Sequence, residues 1–272
     1  MSTSQSKTGA SDWSPDQYLL FRNARNRAIH DLIAFLGPEY SPDRITDLGC
    51  GPGNSTEILA SRFPHATITG IDSSPAMLTQ ARTTSLPNTT FAQADLHTYD
   101  PGQGVDLLFS NAVFHWLRRR DRIPTLTRLL LTQQLGRGTL AFQVPDNHDE
   151  PSHRAMRETA ASPPGANEPD LDPIETPLEY YNALKPHCRA VETWTTRYVH
   201  VMEDHGAIVE WAKGTGLQPF VNLLPAAEEA GGVDVREAFL EAYRQRLEKE
   251  YPRAEDGRVL LTYPRRFVVA FR

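Results

Sequence analysis

The chain has 272 residues, 39% of them hydrophobic and 23% charged, with a formal net charge of −6. This length and balance suit one large globular domain, or one domain carrying a substantial insertion. The acidic excess argues against a nucleic-acid surface, and any anionic ligand must be met by a local basic cluster. Two cysteines, Cys50 and Cys188, lack the spacing of a metal site or a redox pair, which fits a reducing, cytoplasmic setting. The polar start MSTSQSKTGAS has no apolar core of a secretion signal, and no apolar run reaches the roughly 18 residues of a membrane span.

Taken in chain order, residues 1–12 read as a disordered tail. Residues 13–36 carry an amphipathic helical pattern (Tyr18, Phe21, Ile29, Leu32, Ile33, Phe35) that stops at Gly37-Pro38. Short apolar runs then alternate with helical ones. Strands are predicted at 45–48, 67–71, 90–94, 106–110 and 139–144, and helices at 55–62, 75–83 and 122–131. Such alternation implies a parallel sheet covered on both faces. The run RRRDR at 118–122 reads as a solvated helix start. Beyond Pro145, ASPPGANEPDLDPIETP (161–177) is too proline-rich for a regular element and reads as a loop. A long strand at 190–202, helices at 205–213 and 233–250, and a final strand at 258–272 complete the map, with Pro264 at a bulge or an edge. The expected organisation is a core at 40–147, a cap mainly at 148–257, and the closing strand.

The chemistry concentrates at the ends of the early strands, where open parallel sheets bind ligands. DLGCGPGN follows the first strand, and its glycines allow a close backbone approach. It lacks the Gly-Lys-Ser/Thr ending of a phosphate loop, and its glycines do not follow the G-x-G-x-x-G spacing of a dinucleotide site. Asp47, just before the loop, repels a pyrophosphate and suits a ligand with an ammonium group. The next three strand tips carry Asp72, Asp95 and Asn111. Helix capping by Asp72 or Ser73, and turn capping by Asp95, explain each singly; the ordered set points to a ligand.

This constellation resembles the class I S-adenosylmethionine-dependent methyltransferases. DWSPDQYLLFRNARNRAIHDL, ITGIDSSPAML, FSNAVFHWL, QVPDNHDEPSHRAMRE, TTRYVHVMEDHGAIVEWAKGTGLQPF and the closing YPRRF narrow the resemblance to the trans-aconitate methyltransferase family. It implies an α/β, Rossmann-like sheet with helical N-terminal and C-terminal cap additions. It implies S-adenosylmethionine as cofactor, leaving as S-adenosylhomocysteine, and a small carboxylic acid as substrate. The methionine part of the cofactor would meet Asp47, Gly49, Gly51 and Asn54, with Asn111 and Ala112 beside it. Asp72 and Ser73 would take the ribose; Met77, Ala94, Asp95 and Leu96 would take the adenine. Tyr18, Phe21 and Arg25 would close over the cofactor from the first helix. His115 and Trp116 would line the methyl site.

A carboxylate acceptor is already ionised at neutral pH, so no general base is required. Its spare carboxylates call for arginine. Candidates are Arg25, Arg27, Arg197, Arg265 and Arg266. Strand alternation puts Arg265 on one face with Tyr263, and Arg266 on the other. Arg265 and Tyr263 are favoured, with Gln143, Asn147, His153 and Tyr181 as further acceptor contacts, and the 161–177 loop is expected to order on substrate binding. No metal, nucleic acid or membrane is expected, and a monomer is compatible with the sequence. The competing readings are methyl transfer to another acid or to a phenol, a nicotinamide oxidoreductase, and a non-catalytic cofactor-binding protein. A phenol would need a base, for which His115 is the one evident candidate.

Overall fold

The computed structural model describes residues 21–161, 169, 171–225 and 234–272. The chain forms two units. The first contains Phe21–His148, Leu171–His200 and Thr262–Arg272; the second collects the described parts of Asp149–Asp170 and Val201–Leu261.

The first unit is built on strands β1 (Arg44–Leu48), β2 (Thr67–Asp72), β3 (Thr89–Gln93), β4 (Leu107–Asn111), β5 (Thr139–Pro145), β6 (Ala190–Met202) and β7 (Val259–Phe271), in the order β3-β2-β1-β4-β5-β7-β6. The first five pair in parallel, and β7 runs antiparallel to β5. The central strands β1, β4 and β5 are buried on both faces, and side chains alternate between them as the pleat demands. On β5, Leu140, Phe142 and Val144 enter one apolar cluster while Ala141 enters the other. On β7, Val268 and Ala270 oppose Phe267 and Val269 in the same way. One face is covered by α1 (Arg22–Phe35) and α2 (Asn54–Arg62), which contribute Ile29, Leu32, Leu59 and Ala60. Leu126, Leu129 and Leu130 cover the other face from α4 (Arg119–Leu131), which follows α3 (Pro75–Ala81) in the chain.

The predicted strands are present to within a residue or two, because buried parallel strands announce themselves as apolar runs. The helix predicted at 13–36 is described from Arg22 onward; residues 13–20, with Tyr18, lie outside the described residues. Three helices went unpredicted: α5 (Pro151–Ala160), α6 (Pro177–Leu184) and the short α8 (Gln218–Val221). Helix α6 had a legible start. Thr176 and Glu179 form a reciprocal capping box around Pro177. The second unit also holds α7 (His205–Lys213) and α9 (Val235–Glu250), close to their predicted bounds. Pro264 lies just outside the β5 ladder, which ends at Pro145 opposite Arg265, and its carbonyl accepts from the Asp146 N–H at 2.9 Å. No described helix is long and apolar enough to cross a membrane.

One alternative weighed above is set aside and one expectation is corrected. The N-cap of α3 is Ser74, whose hydroxyl accepts from the Met77 N–H at 3.2 Å, so neither Asp72 nor Ser73 caps it. The arginine run does start a helix, as expected, but it is solvated only in part. Arg120 is exposed, but Arg122 is wholly buried and paired with Glu175 at 2.9 Å.

Gly49 locks the loop after β1 to the turn after β4. Its φ is +71°, and a Cβ there would fall 2.4 Å from Val113 Cγ2. Gly49→Ala combines left-handed strain with a steric overlap, each costing about 1–2 kcal/mol. A urea melt should show a lower midpoint with an unchanged slope.

Candidate active site

The polar side chains of the first unit form a row along the carboxyl ends of its strands. Asp47, near the end of β1, is 0% exposed. Its Oδ2 accepts from Ser55 Oγ and Thr56 Oγ1, both at 2.7 Å, tying the strand to the first turn of α2. Its Oδ1 is buried with no hydrogen-bond partner among the described residues, as is the Asn54 amide nitrogen. Burial pushes the Asp47 carboxyl up to about 6, against the pull of the Thr56 and Ser55 hydroxyls, with Asp72 adding a further push. An orphaned, ionisable oxygen beneath a loop of left-handed glycines fits a ligand that brings its own cationic donor. Beside it, burial also pushes the Cys50 thiol up, so it stays protonated and is no nucleophile.

Asp72, at the end of β2, braces the same loop. Its Oδ2 accepts from the Gly51 N–H at 2.9 Å and its Oδ1 from the Ser74 N–H at 2.8 Å. Ser73 is exposed, Met77 buried, and Ala94 hydrogen-bonds through its N–H to the Asp72 carbonyl at 3.0 Å. Asp95 is mostly exposed and caps a turn: its Oδ1 accepts from the His97 N–H at 2.9 Å, which holds its carboxyl below the usual range. Leu96 beside it is buried.

At the tip of β4, Ala112 holds φ +58°, an uncommon conformation for a residue with a side chain. Its N–H donates to the Gln143 carbonyl at 2.9 Å. The preceding Asn111 accepts from the Gln143 amide, whose Oε1 accepts from Arg265 Nη1 at 3.3 Å. Gln143 is 0% exposed and both ends of its amide are engaged. Arg265 is 5% exposed, its guanidinium 4.7 Å from the Tyr263 ring centre, and no carboxylate pairs with it among the described residues. The neighbouring Arg266 instead pairs with Asp146 at 2.5 Å, and Arg197 is exposed.

His200 extends this basic side and was not singled out by the sequence. It is buried, its ring 6.1 Å from Tyr263, and burial with Arg265, Arg27 and Arg25 pushes it down to about 4. It is therefore neutral at pH 7. Strand alternation sets it on the face of Tyr198, opposite Arg197, and at this end of the strand that face carries the buried residues. Arg25 is buried on α1, one turn after Phe21, while Arg27 lies over the Tyr198 ring.

The 3-10 turn Phe114–Trp116 follows β4, and the His115 and Trp116 rings lie 4.5 Å apart. Asn147 is buried just beyond β5, and Tyr181 is 40% exposed on α6. His153 belongs to the second unit, where its Nδ1 lies 3.2 Å from Ser152 Oγ.

Comparison with known proteins bears on this arrangement. The family description "Methyltransferase domain" matches residues 45–131. A trans-aconitate 2-methyltransferase of Rhodopseudomonas palustris (strain HaA2) is 44% identical over 266 residues, covering 96% of this chain and 99% of the relative. One from Agrobacterium fabrum (strain C58) is 45% identical over 265 residues, with 96% and 99% covered. The chain belongs to the trans-aconitate 2-methyltransferase family. Among solved structures, the YcgJ protein of Bacillus subtilis aligns with TM-score 0.56 at 12% identity, covering 89% of this chain and 98% of its own. Haemonchus contortus phosphoethanolamine N-methyltransferase 2, solved with S-adenosylhomocysteine, aligns with TM-score 0.50 at 14% identity, covering 90% of this chain and 52% of its own. The fold is the Rossmann-like sheet of the class I methyltransferases.

The raised carboxyl of Asp47 gives a stability test. A carboxylate whose folded pKa exceeds its unfolded one contributes fully below the unfolded value and loses that contribution as pH rises through the folded one. Relative to Asp47→Asn, the ligand-free protein should therefore lose roughly 2 kcal/mol between pH 4 and pH 7. Urea melts of both proteins at the two pH values measure this difference.

Proposed function

We propose that this protein transfers a methyl group from S-adenosylmethionine to a carboxylate oxygen of trans-aconitate, giving a monomethyl ester. The family supports the acceptor by name. The observation that carries the reading is Arg265, a buried guanidinium with no acidic partner among the described residues, linked by Gln143 to the β4 tip. Burying an unpaired cation is costly, and a ligand carboxylate removes that cost.

When bound, S-adenosylmethionine supplies an electrophilic methyl on a positively charged sulfur. The protein's own groups hold and align. Asp47 Oδ1 takes the ligand ammonium, and the glycine loop admits the backbone close to it. Asp72 takes ribose hydroxyls, and Asp95 the adenine amino group. On the other side of β4, Arg265 and Tyr263 hold the acceptor acid, and neutral His200 adds a donor without repelling the arginines. The acceptor oxygen is ionised already, so no residue need take a proton. His115 and Trp116 exclude water from the transfer line, and the rate gain comes from alignment. The buried Asp47 disfavours a dinucleotide, whose pyrophosphate it would repel.

Methyl-labelled S-adenosylmethionine offered with a panel of small acids tests the reading. An alkali-labile label on trans-aconitate supports it; no label on any acid overturns it. Arg265→Met should raise the acceptor KM about 30-fold or more, the loss of one buried charge pairing, while cofactor affinity stays within about twofold.

A further inference from the structure

The arginine run at 118–122 is engaged where the sequence suggested solvent. Arg122 is 0% exposed and its planar head makes four hydrogen bonds. Nε donates to the Phe114 carbonyl at 3.0 Å and Nη2 to the Leu117 carbonyl at 3.0 Å. These two carbonyls bracket His115 and Trp116. Nη1 donates to the Pro173 carbonyl at 3.1 Å and to Glu175 Oε2 at 2.9 Å, and Glu175 is itself buried. Its neighbours engage the same segment. Helix α4 has no side-chain cap from its own N-cap residue; Asp172 Oδ2 instead accepts from the Arg119 N–H at 2.8 Å and lies 3.3 Å from Arg118 Nε. Glu179 pairs with Arg119 at 2.5 Å. Three arginines thus meet three carboxylates from residues 172–179, the far end of the proline-rich stretch.

The outer pairs are half-exposed and add little stability. The buried pair is a weak stability device too, since apolar residues of similar volume often serve as well. What an apolar pair cannot do is donate to both ends of the turn. We propose that Arg122 is a positioning residue for methyl transfer: with Glu175 it fixes the turn carrying His115 and Trp116 and ties residues 172–175 to it. This rests on the reading above that His115 and Trp116 line the transfer line. The part of the proline-rich stretch at 171–176 is then held before any substrate arrives; residues 162–168 and 170 lie outside the described residues.

Two variants separate positioning from stability. Arg122→Lys keeps the charge but loses the fork that reaches two carbonyls. Arg122→Met with Glu175→Met removes both charges together. Both should lower kcat tenfold or more with cofactor Kd within twofold, and amide exchange at residues 113–117 should quicken. The double variant should melt near the wild type. Wild-type kcat in a folded double variant would overturn the proposal, as would Arg122→Lys with unchanged kcat and exchange should the double variant not fold. Absence of wild-type turnover on any acid overturns the function itself, and with it the role given to this turn.

Discussion

Everything near the site depends on one buried carboxylate. Asp47 has no exposure, yet only one of its oxygens finds a hydrogen-bond partner among the described residues. Ser55 and Thr56 spend their hydroxyls on Oδ2, which pins the start of α2 to β1 and sets where the glycine loop must bend. Asp72 steadies that bend from β2, and Gly49 lets Val113 pack against it from the turn after β4. Two acids and one missing side chain therefore fix three strand tips relative to one another. The unfilled oxygen is the cost of this arrangement in the ligand-free protein, and a cationic ligand removes it.

The sheet separates charge along its edge. The tips of β1, β2 and β3 carry Asp47, Asp72 and Asp95; the side beyond β5 carries Arg265, His200 and the α1 arginines. A chain of net charge −6 would repel a polyanionic acid at long range, so this local basic side must do the recognition. Neutral His200 fits that purpose, because a second buried cation beside Arg265 would raise the cost of the empty state. Asn111 and Gln143 lie between the two sides, with no charge of their own.

The strands and their tips were legible because chain order and apolar runs dictate them, and the glycine loop because its residues are contiguous. Partnerships across long separations were not. Nothing in RRRDR distinguishes Arg122 from Arg120, yet one is buried against a carboxylate 53 residues away and the other faces water. Gln143 read as an acceptor ligand, and nothing in its sequence neighbourhood announced that its amide also links Asn111 to Arg265. Helix α5 escaped notice because its buried face is made of small residues, Ser152, Ala155 and Ala160, with Met156 alone as a large apolar one.

The central claim is that Asp47 Oδ1 meets the ammonium group of the cofactor. Calorimetric binding of S-adenosylhomocysteine and of its analogue lacking the amino group, each to the wild type and to Asp47→Asn, isolates that contact. The account predicts that removing the amino group weakens binding to the wild type about tenfold or more, and hardly at all to the variant. Equal weakening in both proteins would contradict it.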